Sequence, residues 1–273
     1  MIMVKTNRYN KLNWGISTLG CPEYDLPQAV ELADRYGIKY FEIRTLNNTV
    51  NAQETLYYPE NEPVMRELSA AGRCMVLDSS FGVTADKPGQ REALTAIART
   101  ADDFDIPYIR IFGGGNYGEE FTADRIKTAV ENLKWFRSQK FNARLALETH
   151  DICSSSDRCL ALQEYSGETL PIIWDAHHTR QIAGEDFVDT YKKIAGNIVA
   201  VHFKDSHYAY KDGVKYCEFD LIGEGLVPMD ELFTLLSENN VTVPVTLEHE
   251  KFWRKNLPEL EVMLDSWQEF CCK

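Results

Sequence analysis

Four short segments share one pattern, an apolar run that ends abruptly in acidic and imidazole side chains. They are ARLALETHD (143–151), PIIWDAHHT (171–179), IVAVHFKD (198–205) and PVTLEHE (244–250). Uninterrupted apolar runs of this length are what parallel strands buried on both faces require. Polar chemistry confined to their C-terminal ends marks the functional end of barrels and open α/β sheets. The pattern thus constrains the fold class, α/β, and also where a site must lie.

The rest of the chain repeats the alternation. NWGISTL (13–19), IKYFEIR (38–44), CMVLDSS (74–80) and YIRIFGG (108–114) supply four earlier β-rich runs. Helical patterns separate the runs. Asp25 can cap a helix with Leu26, Ala29, Val30, Ala33 and Tyr36 on one face and Gly37 as its stop signal. Thr122 can cap another with Ile126, Ala129, Val130, Leu133 and Phe136 inward. After the seventh run, Asp212-Gly213 between alternating residues predicts a hairpin over 207–219. Eight strands alternating with helices, with no linker or break in composition, predict one (β/α)8 barrel domain spanning 1–273. The competing open sheet should show a glycine-rich fingerprint after the first strand, and STLGCPEYD has none.

Charge and cysteine usage narrow the function. Forty-two acidic against 29 basic residues give a net charge of −13, which disfavours a nucleic-acid groove. Seven cysteines without a C-x-x-C pair read as reduced thiols, mostly core fillers. The segment MIMVKTNRYNKLNW has no apolar signal region, and no apolar run approaches about 18 residues. A cytoplasmic protein without a membrane partner is expected.

Strand parity then selects side chains, because one alternating set faces the barrel axis. Placing Glu148 inward takes Ala146 and His150 with it and sends Leu145 and Leu147 to the helices. The same parity places His202 and Lys204, Asp175 and Ile173, and Glu248, Thr246 and Glu250 on the axis side. Val201, Phe203, Ile172, Trp174, Val245 and Leu247 then face outward. Three carboxylates and one imidazole, Glu148, Asp175, His202 and Glu248 on successive strands, form a hard donor set. Such a set suits one divalent ion, Mn²⁺, Mg²⁺ or Co²⁺, and accommodates Zn²⁺.

The motifs LETHD, WDAHHT, VHFKD, LIGEG (221–225) and TLEHE resemble those of the xylose isomerase-like barrel superfamily of sugar and sugar-phosphate isomerases and epimerases, over most of the chain. The resemblance implies that Glu148, Asp175, His202 and Glu248 bind one divalent metal. It also implies that His178 contacts metal-bound water or substrate, and that Glu148 and Glu248 are the catalytic proton-transfer pair. Relatives in that superfamily include ketose 3-epimerases, hydroxypyruvate isomerase, inosose dehydratase and isomerase, dehydroshikimate dehydratase and type IV apurinic endonucleases. The endonuclease branch has further ligands where this chain reads DSSFG, FGGGN and KDGVKYCEFD, which lack them.

The expected activity is therefore isomerisation or epimerisation of a small sugar or polyol ketone through proton abstraction next to its carbonyl. Dehydration of an inosose or dehydroshikimate-like ketone begins with the same abstraction. A non-catalytic carbohydrate-binding barrel is the alternative from another class. Lys204 is read as a salt-bridge partner of Asp205 or Glu250, or as a group that neutralises an enediolate. Arg44 and Arg110 point inward by parity, in an ion network or against substrate, as does Glu42. Glu224 can face the site or cap backbone amides, and His150 can support the ligands. His207 and His249 are not expected to be ligands. Gly113-Gly114-Gly115 reads as a turn before it reads as a phosphate cradle. The hairpin, with Tyr208, Tyr210, Tyr216 and Phe219, can be a lid or a dimer contact. A homo-oligomer is a further expectation from the resemblance.

Overall fold

Each of the eight apolar runs forms a strand of one parallel sheet that closes on itself. The structure, a computed structural model, describes residues 7–272. The first seven strands are β1 (Asn13–Ser17), β2 (Tyr40–Ile43), β3 (Cys74–Gly82), β4 (Tyr108–Phe112), β5 (Arg144–Glu148), β6 (Ile172–Asp175) and β7 (Ile198–Phe203). An antiparallel pair, β8 (Asp205–Lys211) and β9 (Val214–Asp220), follows, and β10 (Pro244–Leu247) completes the barrel. The order around the barrel is β1-β10-β7-β6-β5-β4-β3-β2, with Trp14 in register with Val245 where first and last strands meet. The start of the N-terminal segment, residues 1–6, lies outside the described residues. Among the described residues no helix is long and apolar enough to cross a membrane.

The helices stand where the periodicity puts them, with ends set by local chemistry. Asp25 accepts from the Gln28 amide at 2.9 Å and Gln28 returns a bond to the Asp25 amide, a capping box that opens α1 (Leu26–Arg35). Gly37 follows with φ 69° and ends it. Thr122 caps α5 (Ala123–Gln139) by accepting from Arg125 N. The remaining long helices are α3 (Glu62–Ala70), α4 (Gln90–Asp103), α6 (Ser156–Ser166), α7 (Phe187–Ile194), α8 (Met229–Glu238) and α9 (Leu260–Cys271). A short helix absent from the sequence reading, α2 (Ala52–Thr55), sits in the Asn-rich loop after β2. Buried Asn61 organises that loop, donating to Thr55 O and accepting from Leu26 N at 2.7 Å.

Two apolar layers confirm the strand parity. Leu145, Leu147, Ile172, Trp174, Val201, Phe203, Val245 and Leu247 all pack in the large core between sheet and helices. Val76, Ala146, Ile173 and Ala200 form a separate small cluster inside the barrel, which plugs it below the polar residues. The seam between β1 and β10 is sealed by aromatic side chains. Trp14 meets Phe203, Phe233 and Trp267 edge-on at centroid distances of 5.7, 5.0 and 5.1 Å. Such pairs add about 0.5–1.5 kcal/mol each beyond the area they bury. Six cysteines, Cys21, Cys74, Cys153, Cys159, Cys217 and Cys271, are buried thiols, as core fillers should be.

Candidate metal centre

Above the small plug, Glu148, Asp175, His202 and Glu248 converge. Each offers one donor atom, the four atoms lie within 4.8 Å of one another, and all four residues are buried. His202 Nδ1 lies 3.7 Å from Glu148 Oε1 and 3.6 Å from Glu248 Oε2. Four ligands at ordinary metal–ligand distances around one ion stand about 3.4 Å apart in tetrahedral arrangement. The observed separations are therefore those of a slightly open cage.

Hydrogen bonding tells which atoms await a partner. Both oxygens of Glu148, Asp175 Oδ2 and His202 Nδ1 are buried and form no well-directed hydrogen bond, although Arg110 Nε lies 3.3 Å from Glu148 Oε2 and Lys204 Nζ 2.9 Å from Asp175 Oδ2. Buried polar atoms without partners cost free energy, so such a cluster of them calls for an occupant. The other atoms of the same groups are engaged. His202 Nε2 lies 2.7 Å from Glu42 Oε2, a pairing that would hold a proton on Nε2 and free Nδ1 for an ion. In the metal-free protein burial is outweighed by Glu42 and Glu248, which raise the His202 pKa well above its ordinary value. Asp175 Oδ1 accepts from the His178 amide at 3.0 Å, which turns Oδ2 inward and opens a π-helical turn, His178–Ile182. The D-x-x-H spacing is thus a capping geometry. The donor set and its orphaned atoms fit a hard divalent cation.

Two cations hold the carboxylates together. Arg110 reaches Asp78 at 3.1 Å, Glu148 and Glu248 at 3.3 Å and Glu42 at 3.9 Å. Lys204 Nζ lies 2.9 Å from Asp175 Oδ2 and donates to Glu248 Oε2 and Glu250 Oε1. Lys204 therefore bridges the carboxylates of Asp175 and Glu248, and of the two expected partners it takes Glu250 and not Asp205. Burial would raise the Glu248 carboxyl, but Lys204 and then His202 overcome it and hold the group well below its ordinary range. Glu148 is lowered too, since the charge of Arg110 prevails over burial. At Asp78 burial outweighs the charge of Arg110 and pushes the carboxyl well above its ordinary range.

Toward the mouth, a cavity of about 280 Å³ is bounded by Arg44, Arg110, Phe112, His150, Glu250 and Trp253 together with Glu148 and Glu248. That volume is at the small end for ligand sites. His150 and His178 face each other at 4.2 Å between ring centroids. His150 Nδ1 pairs with Asp151 at 2.7 Å and His178 Nδ1 with Thr149 O at 3.2 Å, so each ring keeps Nε2 available. Burial, reinforced by His150 and Lys204, keeps His178 well below its ordinary value and hence neutral.

The remaining sequence expectations divide. His249 binds Pro258 O and His207 pairs with Asp220 on the hairpin, both away from the cluster. Glu224 is exposed, and the structure does not bring it to the site. Capping of the loop amides, the other role open to Glu224, falls to Asp205, which accepts from Gly223, Gly225 and Val227 N at 2.9–3.1 Å. Gly114 and Gly115 have φ of 82° and 80° and form the turn after β4. Gly113 packs on Ile152 and Cys153. The hairpin base lies against the site through Phe219, 5.5 Å from the His177 ring and 5.7 Å from Lys204 Nζ. Asp78 and His177 escaped the sequence reading. Asp78 was detectable as the single acid with inward parity in CMVLDSS, whereas His177, 2.8 Å from Ser206 Oγ, lies two residues past the end of β6, where strand parity no longer assigns a direction.

A profile described as "Xylose isomerase-like TIM barrel" matches residues 30–267. The chain belongs to this family. No curated protein matches it. Among solved structures it is similar to the probable 3-DHS dehydratase AsbF of Bacillus anthracis, at 19% identity and TM-score 0.72 over 94% of this chain and 99% of that one. It is also similar to the IolI protein with a bound zinc atom, at 13% identity and TM-score 0.69 over 94% and 96% of the two chains. A third is the 3-keto-D-glucoside 4-epimerase YcjR of E. coli, at 12% identity and TM-score 0.69 over 94% and 98%. At these identities the likeness establishes the fold. The xylose isomerase-like barrel includes isomerases, epimerases and dehydratases.

Proposed function

We propose that this barrel is a divalent-metal-dependent isomerase or epimerase of a small sugar or polyol ketone, with Glu148, Asp175, His202 and Glu248 holding the ion. The observation that carries the reading is the convergence of four buried donor residues on successive strand ends, with Glu148 Oε1 and His202 Nδ1 lacking any hydrogen bond. Three carboxylates and one imidazole favour Mn²⁺, Mg²⁺ or Co²⁺ and admit Zn²⁺, and the IolI structure has zinc. When bound, the ion supplies Lewis-acid stabilisation to the substrate oxygen that gains charge as the α-proton leaves. Glu148 and Glu248, both on the cavity wall and both held ionised, remove and return that proton. Arg110 and Lys204 fix the two carboxylates and hold them ionised, lowering their basicity. Neutral His178 binds or orients a substrate hydroxyl. The net charge of −13 favours small-molecule substrates over nucleic acid.

A dehydratase is the second reading, favoured by the His150–His178 pair. β-Elimination needs an acid for the departing hydroxyl besides the base that takes the α-proton. His150, where burial is outweighed by Asp151 and Glu148 and the pKa is raised, would supply it beside neutral His178. Incubating ketoses and inososes with the protein and Mn²⁺ in D₂O separates the two. Deuterium at the α-carbon with the carbon skeleton intact supports isomerase or epimerase chemistry, and loss of water supports the dehydratase. Ligand binding without either reaction would make the barrel a carbohydrate-binding protein and sink both.

A further inference from the structure

Three cations are buried among the described residues, Arg44, Arg110 and Lys204. Arg110 and Lys204 are each surrounded by carboxylates, but no acidic group lies within 4.0 Å of the Arg44 guanidinium. Arg44 is only 4% exposed, its Nε has no hydrogen-bond partner, and one amino group donates to Ser80 Oγ at 2.7 Å. Its cation lies 5.8 Å from the centroid of the Trp253 ring, which is 55% exposed at the mouth. The backbone that presents it is fixed, because Thr18 Oγ1 accepts from the amides of both Arg44 and Thr45. Arg44, Ser80 and Trp253 line the same cavity as Glu148 and Glu248.

Asp78, Glu148 and Glu248 act on Arg44 only at longer range. A buried guanidinium with no carboxylate in direct contact is costly, and a planar fork of donors matches carboxylate and phosphate oxygens. Burial, reinforced by Arg110, lowers the Arg44 pKa to about 10, which still leaves it charged at neutral pH. A neutral sugar would offer this group only hydroxyls. We propose that Arg44 anchors an anionic group of the substrate, a carboxylate or a phosphate ester, so that the enzyme acts on anionic hydroxy ketones in preference to neutral sugars. The inference rests on the cavity being the substrate site of the proposed hydroxy-ketone enzyme.

Three probes with one three-carbon skeleton test it: dihydroxyacetone, hydroxypyruvate and dihydroxyacetone phosphate. Their affinities are measured by calorimetry for wild type, Arg44→Gln, Arg44→Lys and Ser80→Ala. Each series is run with and without Mn²⁺, because hydroxypyruvate also chelates metal. A charge-assisted bond of ordinary strength predicts that one anionic probe binds wild type about ten- to a hundredfold more tightly than the neutral one. Which anion is preferred tells carboxylate from phosphate. Arg44→Gln should abolish the preference and Arg44→Lys should keep part of it, with unchanged Mn²⁺ stoichiometry. Ser80→Ala, which removes only a fixing hydroxyl, should weaken it mildly and covers the case in which the Arg44 variants do not fold. Equal affinities, a preference that survives Arg44→Gln, or no binding of either anion overturns the proposal. Absence of Mn²⁺ binding by wild type would instead sink the metal reading, while the metal-free series still reports on Arg44.

Discussion

Asp205 holds the loop that follows the hairpin, and replacing it with asparagine is a quantitative test of how the mouth is built. Its Oδ1 accepts from Ser206 N at 2.8 Å and Val227 N at 3.1 Å, while Oδ2 accepts from Gly223 N at 2.9 Å and Gly225 N at 3.0 Å. The side chain is 1% exposed, and a Cβ on Gly225 would overlap Oδ1, so no water or neighbour can readily substitute. In Asp205→Asn one oxygen becomes an amino group. Whichever way the amide turns, two of the four N–H donors face another donor. An unsatisfied buried donor costs about 1–3 kcal/mol, so the pair costs about 2–6 kcal/mol before the loop relaxes. A loss of about 2–4 kcal/mol is expected, a large part of the 5–15 kcal/mol typical of a domain. Urea unfolding followed by far-UV circular dichroism measures it. A loss below about 1 kcal/mol with an unchanged denaturant slope would refute the four-bond clamp.

Arg110→Met removes the cation shared by Asp78, Glu148, Glu248 and Glu42, and should destabilise metal-free protein by about 3–5 kcal/mol. Saturating Mn²⁺ should restore more stability to this variant than it adds to wild type, and equal gains in melting temperature would contradict that. Gly113→Ala places a methyl group against Ile152 and Cys153 and should cost about 1–3 kcal/mol by denaturant titration. A neutral result would mean that the turn after β4 can give way. On the exposed hairpin, the bond to Asp220 raises the His207 pKa, so that pairing contributes below the free value near 6.5 and fades as pH rises through the higher folded value. NMR titration should show Asp220→Asn returning His207 to about 6.5, and identical curves would dismiss the pair.

The barrel was legible because each strand must bury one face against helices, which writes bulky apolar residues such as Trp174, Phe203 and Leu247 at alternate positions. The same alternation placed Glu148, Asp175, His202 and Glu248 on the axis side before any contact was known. Parity does not carry distance around the barrel. It could not tell that Arg110 on β4 would reach Glu248 beyond β10, or that Glu42 on β2 would orient His202 on β7, since both depend on closure of the sheet. Loop residues were least legible. Glu224 and Asp205 both belong to polar stretches near strand seven, and only the path of the loop decides which one meets the backbone amides. The helix α2 lacked apolar periodicity and depends on Asn61, a residue with no strand or helix signature.

The account stands on one ion held by four strand-end residues. Metal content and affinity of protein purified without chelator, for wild type and Glu248→Gln, test that most directly. About one Mn²⁺, Mg²⁺, Co²⁺ or Zn²⁺ per chain, with affinity weakened by the substitution, is the predicted result. Wild-type protein that takes up no divalent ion under any condition would contradict it and leave the cluster as an ion-pair network alone.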